Sequence, residues 1–132
     1  MTIHHPNKFY QALPAGFDGL FGWDFLKPAF AGTKVEPMDV DAMVERYGKF
    51  LLFETKNVGK EIPLGQQIAL ESAVRMGRGK ILVMVLWGKT AMEIESIQEW
   101  YWERGRFKKS LILSRNAEYV LRRVSGWFAW AS

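Results

Sequence analysis

The chain has 132 residues and no cysteine, and its 18 lysines and arginines against 14 aspartates and glutamates give a formal net charge of +4. This length predicts one domain, residues 1–132, with a core of its own. The missing cysteines exclude disulfide frameworks and sulfur-bound zinc, and no apolar run approaches the roughly 20 residues of a transmembrane helix. We therefore expect a cytoplasmic protein without a membrane segment, whose mildly basic charge is compatible with a polyanionic partner.

The first 35 residues are rich in glycine, proline and aromatic side chains. Apolar side chains recur at helical spacing between positions 17 and 25, but the glycines at positions 16, 19 and 22 argue against a long helix. These glycines do not form a phosphate-binding loop, because no Gly-Lys-Ser/Thr sequence follows them. We expect a short helix and loops that cover one end of a sheet, and no metal role for the adjacent His4 and His5.

Two strands joined by a turn are predicted next. Residues 39–46 alternate between apolar and polar side chains, and residues 50–56 run from the apolar FLLF into the charged segment ETK. The Tyr47-Gly48 pair between them predicts a β-hairpin with a tight turn, and a four-residue loop with the same register is an equal alternative.

The following residues predict a helix, a buried strand and an edge element. Residues 66–76 have the spacing of a helix, which stops at Gly77. Residues 81–87 are continuously apolar, as in a strand that is buried on both faces of an α/β sheet. Residues 89–113 predict an edge strand or a hairpin around Gly105. The apolar side chains at helical spacing in the first of these segments are Ile68, Ala69, Ala73 and Met76.

A closing helix completes the predicted fold. Ser114 or Asn116 can cap this helix, and its aromatic side chains are expected in the core or on a dimer face. The order of elements predicts an α/β sandwich, a mixed central sheet flanked by helices. The apolar stripe of the closing helix consists of Val120, Leu121, Val124, Trp127, Phe128 and Ala131.

The predicted hairpin gathers charged side chains at one place. A turn centred between positions 47 and 48 puts Asp41 opposite Glu54 and Asp39 opposite Lys56. Directly opposed carboxylates repel, so a shared proton or a cation must offset their charge. Lys56 supplies one positive charge, and Mg²⁺ or Mn²⁺ would supply more, because these ions prefer oxygen ligands. Solvated cross-strand pairs on a sheet surface are the alternative interpretation.

The segment at positions 37–56, PMDVDAMVERYGKFLLFETK, resembles the PD-(D/E)XK nuclease superfamily. The step from Asp41 to Glu54 is similar to that in Holliday-junction resolvases and virus-type replication-repair nucleases, and the stretch 21–87 looks like small phage-encoded nucleases. The resemblance implies a restriction-endonuclease-like αβββαβ core. It further implies a Mg²⁺-dependent or Mn²⁺-dependent hydrolase of DNA phosphodiester bonds, located in the host cytoplasm if a phage encodes it.

The resemblance also implies roles for single residues. Asp41 and Glu54 match the metal-binding carboxylates, with the Thr55 carbonyl as backbone ligand and Asp39 as a competing ligand. The remaining matches are the catalytic lysine at Lys56 and the supporting helix glutamine at Gln66, with Gln67 as the alternate.

Basic side chains outside this segment predict contacts with a nucleic acid, because neutralised phosphates release counterions. The alternative is that these are ordinary solvated charges. Cleavage of branched DNA would favour a homodimer. A catalytically inactive module that binds nucleic acid or a host protein is the second functional hypothesis. The predicted nucleic-acid-binding residues are Arg75, Arg78, Lys80, Arg104 and Arg106, the last two in a loop with Lys108 and Lys109 beside Trp100, Tyr101 and Trp102.

Overall fold

The computed structural model describes residues 22–89 and 93–132, and the chain divides into two units between Asp39 and Val40. In the first unit the described residues form a 3-10 helix, Asp24–Phe30, which ends at Ala31 in the left-handed conformation (φ 53°). It overlaps the segment with predicted helical spacing, positions 17–25, only at residues 24 and 25, so the predicted short helix itself stays a prediction. The predicted helical positions 17–21, with both histidines, lie outside the described residues, and the expected cover of a sheet end stays a prediction.

In the second unit, the described residues form a mixed sheet of six strands with two α-helices. The sheet order is β1-β2-β3-β4-β5, with β6 paired to β4; β2 and β3 run parallel, and the other pairs are antiparallel. The predicted α/β class with a mixed sheet is thus confirmed. The strands are β1 (Ala42–Arg46), β2 (Lys49–Asn57), β3 (Ile81–Gly88), β4 (Ile94–Glu103), β5 (Arg106–Lys109) and β6 (Leu113–Ser114), and the helices are α1 (Leu64–Gly77) and α2 (Ala117–Ala131).

The hairpin of β1 and β2 has the predicted tight turn and register. Tyr47 and Gly48 both have positive φ angles (50° and 79°), as primed two-residue turns require. The ladder pairs Ala42 with Phe53, as a turn centred on these residues demands. β1 is shorter than predicted, because the side chain of Asp41, just before β1, accepts the backbone N–H of Thr55 (2.7 Å).

β3 lies at the centre of the sheet, as its continuous apolar run predicts. Val83, Met84 and Val85 are completely buried. Met84 belongs to the core cluster that contains side chains of α2. Val83 and Val85 lie on the other face, because side chains alternate along a strand, and α1 packs against β3, β4 and β5. The two helices therefore cover opposite faces of the sheet.

The apolar face predicted for α1 is wrong in three of its four positions, because Ile68, Ala69 and Met76 are exposed. Ile68 and Met76 are 58% and 79% exposed, whereas Leu70 and Val74 are 3% and 0% exposed. Leu70 and Val74 stand four residues apart and share one side of the helix. The helix turns this narrower stripe toward the sheet, so periodicity correctly predicted the helix but not its buried side.

The closing helix begins at the predicted cap. The Asn116 side chain accepts a hydrogen bond from the Tyr119 backbone N–H (3.2 Å). Trp127 is buried, which confirms its core position. Leu121 and Phe128, predicted in the same stripe, are instead 64% and 48% exposed. The helix meets the sheet along Val120, Val124, Trp127 and Ala131.

Replacing Asn116 with alanine should destabilise the protein by about 1 kcal/mol, because one of the first free N–H groups of α2 loses its acceptor. Chemical denaturation of both proteins measures the difference. Ser114→Ala is the matched control, since Ser114 is the other cap that the sequence allows and here lies in β6. An equal loss of stability in both variants would contradict the assignment of the cap to Asn116.

β4 and β5 form a hairpin around Gly105, as predicted, with Arg104 and Gly105 at positive φ (52° and 76°). Residues 22–63 contain two strands before α1, whereas the αβββαβ order needs three, so this core stays a prediction. In the described ranges, no helix combines the length and apolar character needed to cross a membrane.

Candidate active site

The candidate site centres on a buried glutamate near the carboxyl end of β2. Glu54 is 3% exposed, and it is the one buried charged residue in the described part of the chain. Lys56 stands two residues further along the strand, so both side chains point to the same face, as predicted. Lys56 Nζ lies 3.0 Å from Glu54 Oε1, and the lysine side chain is 21% exposed. A buried carboxylate and a partly accessible ammonium thus form a close ion pair.

Asp41 is placed beside this pair by the turn of the hairpin. Its Oδ2 accepts hydrogen bonds from the Thr55 backbone N–H (2.7 Å) and from Thr55 Oγ1 (3.0 Å). These bonds orient the Asp41 carboxylate at the end of the β1–β2 ladder. The predicted role of the Thr55 carbonyl as a metal ligand stays a prediction. Asp39 belongs to the first unit, so its predicted place opposite Lys56 also stays a prediction.

Burial raises the pKa of the Glu54 carboxyl above its ordinary value of 4.5. The hydrogen bond from Lys56 lowers this pKa in part, and the nearby negative charge of Asp41 raises it again. The charges of Asp41 and Lys56 thus act on Glu54 in opposite directions. Together these effects destabilise the ionised form of Glu54 relative to its protonated form. A bound cation would stabilise the ionised form.

Replacing Glu54 with glutamine should stabilise the metal-free protein at neutral pH by a few degrees of melting temperature. The folded-state pKa lies above the unfolded one, so the folded protein retains this proton longer as the pH rises. Stability contributed by the protonated form is therefore present below pH 4.5 and lost as the pH rises through the raised folded-state pKa. Thermal melts with a chelator across this range, on wild type and Glu54→Gln, measure the effect.

The exposed Glu103 provides the matched control, because Glu103→Gln removes the same charge from the protein surface. We expect its melting curve to follow wild type at every pH. A Glu54→Gln protein that is less stable than wild type at neutral pH would show that the Lys56 ion pair outweighs the cost of burying the carboxylate.

The two predicted glutamines have different environments in α1. Gln67 Nε2 donates a hydrogen bond to the Ile62 carbonyl (2.7 Å), so this side chain anchors the loop before the helix. Gln66 Oε1 is buried and finds no hydrogen-bond partner among the described residues. A buried carbonyl oxygen without a donor is costly, and such atoms often mark a place for water or an ion. Of the two, Gln66 therefore remains the better candidate for a role in the site.

The structure brings the predicted basic residues together, but far from Glu54. The Arg75 guanidinium lies 5.2 Å from the centre of the Phe107 ring, which joins the end of α1 to the β4–β5 hairpin. Glu54 is level with Gln98 across the sheet, and Arg104 lies six residues beyond Gln98, about 20 Å along β4. Arg78, Lys80 and Arg106 lie at this same distant end of the sheet.

A cleft of about 470 Å³ opens beside the site on the same face of the sheet. Trp87, which lines it, is the ladder partner of Lys56 in the parallel β2–β3 pair. Lys60 and Gln98 also line the cleft. Sequence analysis missed these residues because they come from separate loops and strands with no common motif. The alternation of side chains along neighbouring strands would place Trp87 and Gln98 on the same face as Lys56. The sequence does not show which strands are neighbours, so this alternation could not be used.

The donor set fits a cation that takes oxygen ligands. Among the described residues, no three or more histidine, aspartate or glutamate side chains are arranged to hold a metal. Mg²⁺ does not need such a cluster, because it keeps several waters and binds through one or two carboxylates. Asp41, Glu54 and the unpartnered oxygen of Gln66 are donors of the required type. No protein-family model, curated protein or solved structure matches this chain.

Proposed function

We propose that the protein is a metal-dependent deoxyribonuclease of the PD-(D/E)XK kind, which hydrolyses DNA phosphodiester bonds with Mg²⁺ or Mn²⁺. The observation that carries this proposal is the buried ion pair of Glu54 and Lys56, with Asp41 close enough to raise the pKa of Glu54. A cross-strand pair on a solvated surface would leave its carboxylate exposed, whereas Glu54 is almost inaccessible. Buried carboxyl groups with a raised pKa and a specific charged partner are typical of functional sites.

Each side chain has a defined task in this proposal. Asp41 and Glu54, with the Thr55 carbonyl, would hold the metal ion, and the Thr55 hydrogen bonds keep Asp41 in a fixed orientation. When bound, the ion supplies Lewis-acid polarisation of a phosphate and a lower pKa for the attacking water. The Lys56 ammonium, partly accessible beside the carboxylates, positions that water and stabilises the charge that develops on the phosphate.

The remaining predicted residues have supporting roles. Gln66 would orient the site through its buried, unpartnered carbonyl oxygen. The basic residues at the far end of the sheet would hold phosphates about 20 Å from the scissile bond, so they add affinity without taking part in the chemistry. The E-x-K strand β2 is followed by α1, which contains Gln66, and then by β3, which is parallel to β2. This order is compatible with the last part of an αβββαβ core.

Metal-dependent cleavage of a defined set of DNA substrates tests the proposal. Labelled duplex, single strand, flap and four-way junction are incubated with Mg²⁺, with Mn²⁺ and with a chelator. We expect cleavage of at least one substrate with either metal and none with the chelator. Glu54→Gln is the matched variant, since it keeps the shape of the side chain and removes its charge, and it should lose the activity.

Two outcomes contradict the proposal. Retention of DNA in a binding assay without cleavage of any substrate would assign a non-catalytic nucleic-acid-binding module. Cleavage that persists in the chelator or in Glu54→Gln would show that the carboxylates do not form the active site.

A further inference from the structure

We propose that the cleft beside Lys56 binds an unpaired nucleobase, so that the preferred DNA substrate has a single-stranded nucleotide next to the scissile phosphate. This inference rests on the proposed nuclease function and names its substrate class. The cleft measures about 470 Å³, within the usual size of small-ligand pockets. A base enters such a protein cleft only when it is unpaired and out of the duplex stack.

The position of the cleft relates it to the proposed chemistry. Lys56 and Trp87 are ladder partners, and neighbouring strands lie about 4.8 Å apart. When a phosphate is held at Lys56, the sugar and base of the same nucleotide are therefore within reach of Trp87 and of the cleft that it lines. Trp87 is nearly buried, and its Nε1 donates a hydrogen bond to the Lys60 carbonyl (2.8 Å), which fixes the loop over the cleft.

The lining of the cleft combines polar and apolar side chains, and its apolar part suits a planar aromatic ligand. Val58 and Ile112 contribute exposed aliphatic side chains at the rim, whereas Trp87 and Trp100, which are 9% and 1% exposed, lie buried at the floor. The rim side chains are 47% and 58% exposed, which leaves apolar surface for a base to cover. A base that covers this surface removes it from water, which is favourable for any of the four bases.

A held amide at the floor supplies polar recognition. Gln98 Oε1 accepts a hydrogen bond from Trp100 Nε1 (2.9 Å), and Gln98 Nε2 donates one to the Ser110 carbonyl (3.0 Å). An amide nitrogen carries two hydrogens and its oxygen two lone pairs, so an amide in this fixed position can also bond a ligand. Donor and acceptor on one side chain match the edges that bases present.

The charges around the cleft favour an anionic ligand near the base. Lys60 and Lys109 line the cleft, Lys56 lies beside it, and Glu61 is the one acid among its lining residues. Lys109 Nζ lies 4.1 Å from the centre of the Trp100 ring, which holds this cation against the floor. The excess of lysine is complementary to the phosphates that flank a bound nucleotide, whereas an uncharged small molecule would gain nothing from it.

Equilibrium binding of short single-stranded oligonucleotides with Ca²⁺, and separately with a chelator, tests the proposal. One oligonucleotide carries the fluorescent base 2-aminopurine at a central position, and a second has an abasic site there. We expect a saturable change in 2-aminopurine fluorescence and at least about tenfold weaker binding of the abasic strand, because that strand has no base to bury against the apolar rim. Equal affinity for the two strands would overturn the proposal.

A pair of neighbouring substitutions localises the effect. Ile112→Trp fills the rim of the cleft, and Leu111→Trp adds the same indole at an adjacent position that is 81% exposed and does not line it. We expect Ile112→Trp to lose the preference for the base-containing strand and Leu111→Trp to retain it. Identical behaviour of the two variants, each checked by its melting curve, would also overturn the proposal.

The nuclease proposal and the base-binding proposal can be refuted independently of each other. Absence of metal-dependent cleavage, with discrimination against the abasic strand intact, would refute the nuclease and keep the base-binding cleft. Cleavage that is equally fast on duplex and on substrates with unpaired nucleotides, with no discrimination in binding, would keep the nuclease and refute the base-binding cleft.

Discussion

Lys56→Ala should reduce metal-dependent DNA cleavage by about 10²–10⁴-fold, the usual loss when a positioned catalytic group is removed. Lys56 Nζ lies 3.0 Å from Glu54 Oε1, so the ammonium is held at the carboxylates that would bind the metal. The loss should appear in the rate of the chemical step more than in DNA affinity, because the side chain is proposed to act on charge that develops during cleavage. Single-turnover cleavage and a separate DNA-binding titration measure the two quantities.

The same substitution also has an electrostatic effect on the fold. Without Lys56, its hydrogen bond and its positive charge no longer lower the pKa of Glu54, so this carboxyl becomes still harder to ionise. Circular dichroism and a melting curve must therefore accompany the kinetics. Lys89→Ala is the control, since Lys89 also pairs with a glutamate, Glu95 (3.1 Å), but lies at the surface. Equal cleavage by wild type and Lys56→Ala would remove Lys56 from the active site.

Trp100→Ala should destabilise the protein by about 3–5 kcal/mol, which is a large part of the roughly 5–15 kcal/mol that stabilises a typical domain. Trp100 is 1% exposed in the middle of β4, and the Phe107 ring meets it edge-on with ring centres 6.1 Å apart. Removal of the indole leaves a large cavity between the sheet and α1. It also removes the Nε1 donor from Gln98 Oε1, which then lies in a partly buried place without that bond.

Urea denaturation of wild type and Trp100→Ala measures this loss. Trp130→Ala is the matched control, because Trp130 is 57% exposed and its principal contact is Lys49 Nζ, 5.4 Å from the ring centre. Such an exposed cation–π contact contributes about 0.5–1 kcal/mol. A Trp100→Ala protein no less stable than Trp130→Ala would mean that Trp100 is not part of the core in solution.

Local sequence signals predicted most of the elements of the second unit. The apolar run at 81–87 predicted a central strand, and Tyr47-Gly48 predicted the turn and register of the hairpin. The alternation of Glu54 and Lys56 along β2 predicted that both share one face. Each of these signals depends on side chains within a few residues of one another, which is why one sequence sufficed.

The buried sides of the two helices could not be predicted in the same way. Apolar side chains cover more than one side of α1 and α2, and each helix has several possible orientations on the sheet. In the folded protein, Leu70 and Val74 of α1 are buried against the sheet, whereas Ile68 and Met76 are exposed to solvent. The choice depends on the shape of the facing strands, because helices pack by fitting ridges of side chains into grooves.

The sequence by itself determined the α/β class, the hairpin register and the proximity of Asp41 to the E-x-K strand. Only the tertiary structure decided that Glu54 is buried, because burial depends on the neighbouring strands and helices that remove water from the carboxylate. The distance between the basic residues and Glu54, and the cleft beside Trp87, likewise arise from strand order. Contacts between residues far apart in sequence determine these features, and local periodicity carries no information about them.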